Sequence, residues 1–245
     1  HRIQKFAADG TFILTWGTNG SADGQFSFPC DLTFGNDGFI YVADTNNHRV
    51  QKFTSDGTFL SKWGSEGIGD GQFDGVYGIQ LDSNDNVYVS DYYNSRVQKF
   101  TSDGTFVSKW GSIYECANGN FAAPCNIAID KEDNIYIIDR GCDKASIYTS
   151  DGLFITNFGG YGPENGHFYN PEGIAVNDSG FVYITETYNH RVQKLTTTGS
   201  FVLKWGRLGS ENSEFNTPQG IVVDSSGYIY VADSGNNRIL KFSPL

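Results

Sequence analysis

The chain repeats itself. An arginine, a hydrophobic residue, one intervening position, a lysine and a phenylalanine or leucine return as HRIQKF from His1, HRVQKF from His48, SRVQKF from Ser95, HRVQKL from His190 and NRILKF from Asn237, with a degraded copy, DKASIY, from Asp143. The basic residues align as Arg2, Arg49, Arg96, Lys144, Arg191 and Arg238, a 47-residue period with one single-residue slip. A period of that size points to an array of like units, each one supersecondary motif that buries its faces only against its neighbours. All 245 residues are therefore expected to form a single domain, 1–245, of repeat units 1–17, 18–64, 65–111, 112–159, 160–206 and 207–245. The chain has no Met, and His1 falls inside a unit, so it is expected to be a piece of something longer.

Within one unit the residue pattern alternates with period two, which is the strand signature. Gly78 to Asp82 and Val87 to Asp91 flank the turn Ser83-Asn84-Asp85-Asn86, and Arg96 to Phe100 leads through Asp103-Gly104 into Thr105 to Trp110. Asp-Gly between two alternating runs is a strong hairpin signal, and it recurs at Asp9-Gly10, Asp56-Gly57 and Asp151-Gly152, with Thr198-Gly199 as a variant. Each unit thus reads as four antiparallel strands, a to d. Thirty glycines and 15% aromatic residues suit short strands and tight turns, so the fold class is all-β, a β-propeller of four-stranded antiparallel blades. Aromatics recur in register at Phe26, Phe73, Phe121, Phe168 and Phe215 before strand a, and at Trp16, Trp63, Trp110, Phe158 and Trp205 closing strand d. Their spacing predicts wedges between neighbouring blades, each ring contributing roughly 1.5 to 3 kcal/mol by burial.

An acid closing strand b, then Asn-x-x-Arg and a Lys-Phe strand, as in Tyr41 to Phe53, closely resembles the NHL repeat family, and the resemblance runs over essentially the whole chain. NHL domains are typically six-bladed propellers. The sequence supplies five a, five b, six c and five d strands, so a six-blade circle would need about 38 more residues. The six-bladed type is favoured, with five-bladed closure or an incomplete ring as alternatives; a gap would leave an exposed edge strand open to self-association.

Each unit pairs an acid ending strand b with a base opening strand c: Asp44 with Arg49, Asp91 with Arg96, Asp139 with Lys144, Glu186 with Arg191, and Asp233 with Arg238. Because every acid has its own local cation, these read as structural ion pairs, each contributing about 0.2 to 1 kcal/mol if exposed. Asn46, Asn47, Asn94, Asn189, Asn236 and Asn237 satisfy loop backbone groups. Of four histidines, His1, His48 and His190 share one repeat position and His167 stands alone, so no set resembles the zinc-binding histidines of the amidating lyases related to NHL propellers. The turns at Asp82 to Asn86 and Asp130 to Asn134 lack the terminal Glu of a calcium loop and read as hairpin turns. No metal and no cofactor are expected.

The unit around Asp143 departs from the pattern and collects three of the four cysteines, Cys116, Cys125 and Cys142. Strand alternation puts d-to-a and b-to-c loops on one face, so a Cys125–Cys142 disulfide is expected, with Cys116 the competing partner for either. Cys30 lies two blades away, beyond the roughly 7 Å reach of a bridge. The sequons at Asn19 and Asn177 lean, with the cysteines, towards an extracellular glycoprotein.

A net charge of −11 opposes a phosphate backbone and argues against nucleic acid as partner. No stretch is long and apolar enough for a membrane span, and direct membrane insertion is not expected. Variation between units concentrates in the d-to-a and b-to-c loops, where Tyr77 replaces Cys30, Cys125, Glu172 and Gln219, and where Tyr92, Tyr93, Tyr114, Tyr161, Tyr169 and Tyr188 also stand. Tyr rings with nearby carboxylates suit sugars, peptides or cationic groups. The expected function is non-catalytic binding of a protein, peptide or glycan outside the cell or on its surface, through Tyr77, Tyr92, Tyr93, Glu172 and Tyr188. The alternatives are a propeller hydrolase or lyase, drawing on Asp31, Asn126 and Glu172, and a structural unit of a repeat-built surface assembly.

Overall fold

The alternating runs become strands, and the Asp-Gly and Asx turns between them become hairpins. The computed structural model describes residues 1–111 and 115–244. Tyr114 lies outside the described residues. Backbone packing divides the chain into two compact units, His1–Lys109 and Trp110–Leu245.

The first unit opens with a two-stranded sheet, β1 (Ile3–Phe6) and β2 (Phe12–Trp16). The first blade follows as β3 (Pro29–Phe34), β4 (Ile40–Asp44), β5 (Arg49–Phe53) and β6 (Phe59–Trp63), and the second as β7 (Val76–Leu81), β8 (Val87–Asp91), β9 (Arg96–Phe100) and β10 (Phe106–Trp110). In the second unit the third blade is β11 (Pro124–Ile129), β12 (Ile135–Asp139), β13 (Lys144–Tyr148) and β14 (Phe154–Gly159). The fourth is β15 (Pro171–Val176), β16 (Phe181–Glu186), β17 (Arg191–Thr196) and β18 (Phe201–Trp205), and the fifth is β19 (Pro218–Val223), β20 (Ile229–Asp233) and β21 (Arg238–Phe242). The fold is an all-β propeller of antiparallel blades with strands in sequence order. The favoured count of six is corrected to five: four blades have four strands and one has three. Residues 1–17 form only strands c and d of a unit, which makes a hairpin and not a sixth blade.

Register brings each acid opposite its base: Asp44 faces Arg49, Asp91 faces Arg96, Asp139 faces Lys144, Glu186 faces Arg191 and Asp233 faces Arg238. Every strand a enters its sheet through a bulge. Pairing slips between Pro29 and Asp31, Val76 and Ile79, Pro124 and Asn126, Pro171 and Ile174, and Pro218 and Ile221.

The five phenylalanines ahead of strand a are fully buried. Phe26 packs on Phe53 at 5.6 Å between ring centroids, and Trp16 of the preceding sheet reaches the same ring at 6.2 Å. Phe73, Phe100 and Trp63 repeat the triplet in the first unit, as Phe215, Phe242 and Trp205 do in the second. The c-to-d turns are cut to fit. Gly104 has φ +89°, and a Cβ there would stand 2.6 Å from the Trp63 ring, so both backbone sign and packing require glycine.

Candidate functional site

The repeated polar signature is buried and faces inward to its own loop. Asp44 is fully buried; its Oδ2 accepts from Arg49 Nε at 2.7 Å and its Oδ1 from the Ser27 N–H at 2.7 Å. The rest of the Arg49 guanidinium donates to the carbonyls of Ser21, Ala22 and Gln25 at 2.8 to 2.9 Å. Asn47 Nδ2 donates to the Gly20 carbonyl and Gln51 Nε2 to that of Gln25, while Gln51 Oε1 accepts from the Gly24 N–H. Four side chains thus fasten the d-to-a loop to the b–c hairpin of the same blade. The same arrangement recurs around Asp91 with Asn94, Arg96 and Gln98, and around Glu186 with Asn189, Arg191 and Gln193. Asp233, Asn236 and Arg238 repeat it without the glutamine.

Two expectations change here. The pairs are buried rather than exposed, so removing one partner strands a charge and costs far more than a surface bridge would. Asp139 and Lys144 also do not pair, although they face each other in register. Lys144 Nζ donates to the Cys116 carbonyl at 3.2 Å, and Asp139 accepts from the N–H groups of Ala122, Ala123, Gly141 and Cys142.

Cys125 is not in a disulfide; Cys142 bonds to Cys116 instead, with Cα atoms 5.5 Å apart. The reason lies in the bulge at the start of β11. It turns the buried Cys125 sulfur towards the carbonyls of Ile138, Pro171 and Glu172 at 3.5 to 3.7 Å, whereas Cys116 stands in the loop that the b–c hairpin holds.

The bulges explain the variable position. Cys30, Tyr77, Cys125, Glu172 and Gln219 each occupy the slipped stretch at the entry of strand a, a device that redirects a side chain without disturbing the sheet. In the first unit this brings three of the expected binding residues together. Tyr77 stacks on Tyr92 at 4.5 Å, and Tyr92 meets Tyr93 edge-on at 4.9 Å. Burial, with Tyr93 beside it, raises the Tyr77 hydroxyl above its usual range, so it stays protonated. In the second unit Tyr188 joins Tyr169 at 5.0 Å, and Tyr169 joins Tyr161 at 5.1 Å, with all three rings exposed. Glu172 pairs with Arg140 Nη1 at 3.0 Å, and Arg140 Nε also donates to Asn170 Oδ1 at 2.8 Å. Burial raises the Glu172 carboxyl and Arg140 draws it back. Arg140 gave no signal as a site residue, since it sits where other units have Thr45, Tyr92, Thr187 or Ser234.

The remaining polar candidates hold backbone. Asp31 Oδ2 accepts from the Ile79 N–H and Asn126 Oδ1 from that of Ile174, each linking strand a of one blade to the next. His1, His48 and His190 turn Nδ1 to the N–H of Phe28, Gly75 and Thr217, residues 27 positions onward. Asp82 and Asp130 accept from the N–H groups and amides of their own turns, as hairpin turns require. Among the described residues no group of three or more His, Cys, Asp or Glu converges to hold a metal, and no helix is long and apolar enough to cross a membrane. Asn19 is exposed, whereas Asn177 is engaged by Phe181 and Tyr183.

A family model described as NHL repeat matches residues 26–53, 76–100, 168–195 and 215–242. Four of the chain's units carry NHL repeats, and the fold is a β-propeller. Each match spans the d-to-a phenylalanine, or the start of strand a, through the Lys-Phe or Lys-Leu strand, and so contains the buried clamp. The third blade falls outside the four NHL matches, in line with its altered clamp. No curated protein matches by sequence. Among solved structures the chain is similar to virginiamycin B lyase from Staphylococcus aureus, with a TM-score of 0.66 and 16% identity over 100% of this chain and 77% of that one. A catalytically inactive form of that lyase with quinupristin gives a TM-score of 0.65 at 16% identity, covering 99% and 77%. A protein of unknown function from Bacteroides thetaiotaomicron gives a TM-score of 0.73 at 19% identity, covering 99% of this chain and 64% of that one. These likenesses speak to the fold.

Proposed function

We propose that this NHL-repeat propeller is a non-catalytic binding module that takes a glycan, peptide or protein through its d-to-a and b-to-c loops, outside the cell or on its surface. The observation that carries the reading is the division of labour among loop residues. The acids, amides and histidines of the repeat hold backbone, while two tyrosine clusters, one per compact unit, leave rings exposed on the loops that vary. Exposed, mutually supported tyrosines offer flat apolar area at small entropic cost, with hydroxyls to orient a ligand. The Cys116–Cys142 disulfide supports an oxidising compartment.

Glycan and peptide arrays probed with wild type, Tyr92→Ala/Tyr93→Ala and Tyr169→Ala/Tyr188→Ala test it. Loss of a recognised ligand by about tenfold or more in one double variant is expected. Retention of every ligand by both would refute the assignment of these loops.

A second reading, a lyase, is favoured by the fold likeness to virginiamycin B lyase. Arg140 and Glu172 would be its nearest polar pair. Turnover of quinupristin by this chain, lost in Glu172→Gln, would support it over the binding reading.

A further inference from the structure

In the third blade every member of the loop clamp except the acid, Asp139, is replaced at once. Cys142 stands where the other blades have Asn47, Asn94, Asn189 and Asn236; Lys144 replaces arginine; Ser146 replaces Gln51, Gln98 and Gln193. Those asparagines each donate to a glycine carbonyl of their own d-to-a loop, that of Gly20, Gly67, Gly162 or Gly209, at 2.8 to 3.2 Å. Each arginine Nη1 reaches the next residue along, the carbonyl of Ser21, Ile68, Pro163 or Ser210. Cys116 occupies that very place in the third blade. It takes both a disulfide from the asparagine position and a hydrogen bond from Lys144 Nζ at 3.2 Å.

We propose that the Cys116–Cys142 disulfide is a redox-operated lock on the d-to-a loop of the third blade, a covalent substitute for the hydrogen-bond clamp of the other four. Cys116 is exposed, so a reductant reaches the sulfur. A dithiol supplies two electrons and two protons: the S–S bond breaks, Cys116 and Cys142 become thiols, and the donor becomes a cyclic disulfide. The contacts that survive include the bond from Lys144, that from Asn157 Nδ2 to Asn118 Oδ1 at 3.1 Å, the fully buried Phe121 ring against Tyr148, and the Ala122 and Ala123 N–H groups on Asp139 at the far end of the loop. Residues 115–119 thereby lose their covalent tie while 121 to 123 stay anchored. Cys125 does not relieve the lock by exchange, because its sulfur is buried and burial raises its thiol well above the usual range. The other clamps contain no sulfur and are indifferent to reductant, so one loop of the binding face is switched and the rest keep their shape.

Amide hydrogen exchange with and without dithiothreitol tests this on the wild-type chain. Amides of 115–119 should exchange about tenfold or more faster after reduction, while those of 162–166, the equivalent loop of the fourth blade, stay unchanged. A repaired variant, Cys116→Ser/Cys142→Asn/Lys144→Arg/Ser146→Gln, should exchange slowly with or without reductant, and Cys116→Ser/Cys142→Ser should exchange fast in both. No acceleration in the reduced wild type would overturn the proposal. So would equal acceleration in both loops, or a repaired variant as fast as the double serine.

Discussion

The first and third blades hold the same loop in the same place by different chemistry. In the first, Asn47, Arg49 and Gln51 reach five backbone groups of the loop and the guanidinium neutralises Asp44. In the third, a disulfide and one lysine stand in for those side chains, beside a bond from Asn157 to Asn118, and Asp139 is satisfied by four N–H groups without a cation. What both blades share is a buried acid at the end of strand b that accepts from loop amides. The charge pair is one way to complete that acceptor, and it is dispensable where enough N–H groups converge.

The largest test of this contrast is Arg49→Ala against Lys144→Ala in urea unfolding. The first strands buried Asp44 and should cost about 3 to 5 kcal/mol. The second removes one hydrogen bond from a partly exposed lysine and should cost about 1 kcal/mol or less. Equal losses would break the distinction between the blades. Next in size, Cys142→Ser should cost about 2 to 4 kcal/mol, since it reopens a loop closed over a sequence separation of 26 residues. Asn47→Ala, its counterpart in the first blade, should cost about 1 to 2 kcal/mol, two hydrogen bonds, to Gly20 and Asp44, in a network that keeps its arginine.

The smallest expected effect is on pH dependence. Burial outweighs the four N–H donors and raises the Asp139 carboxyl above 3.8. The folded chain therefore holds that proton more tightly than the unfolded chain. Its contribution to stability is greatest below 3.8, declines as pH rises through the raised folded value, and is level above it. Asp139→Asn should remove that decline, so urea midpoints of variant and wild type should converge, or cross in favour of the variant, as pH rises through the window. A wild-type advantage that grows with pH would contradict the assigned direction.

Strand boundaries, the Asp-Gly turns and the buried phenylalanines were legible because side-chain alternation and positive φ leave direct marks on residue type. Four of the five acid–base partners were legible for the same reason, through register, whereas Asp139 and Lys144 face each other without pairing. The clamp was not, because an arginine's other acceptors are carbonyls, which every residue carries, at offsets of 24 to 28 positions. The disulfide was misassigned to Cys125 because residue type hides the bulge that turns that side chain to the next blade. Counting 28 positions back from Lys144, as from the arginines, would have pointed to Cys116. Tyr77, Tyr92 and Tyr93 were legible as loop tyrosines, yet their mutual stacking depends on the equivalent bulge at the start of β7, and Arg140 carried no mark at all.

Hydrogen exchange by NMR on Arg49→Ala reads the central claim at single amides. Gly24 and Ser27, whose N–H groups are bound to Gln51 and Asp44, should lose protection, while Gly71 and Asp74, their counterparts in the second blade, keep theirs. Unchanged protection at Gly24 and Ser27 would mean that the signature does not hold its loop, and the separation of holding residues from binding residues would fall with it.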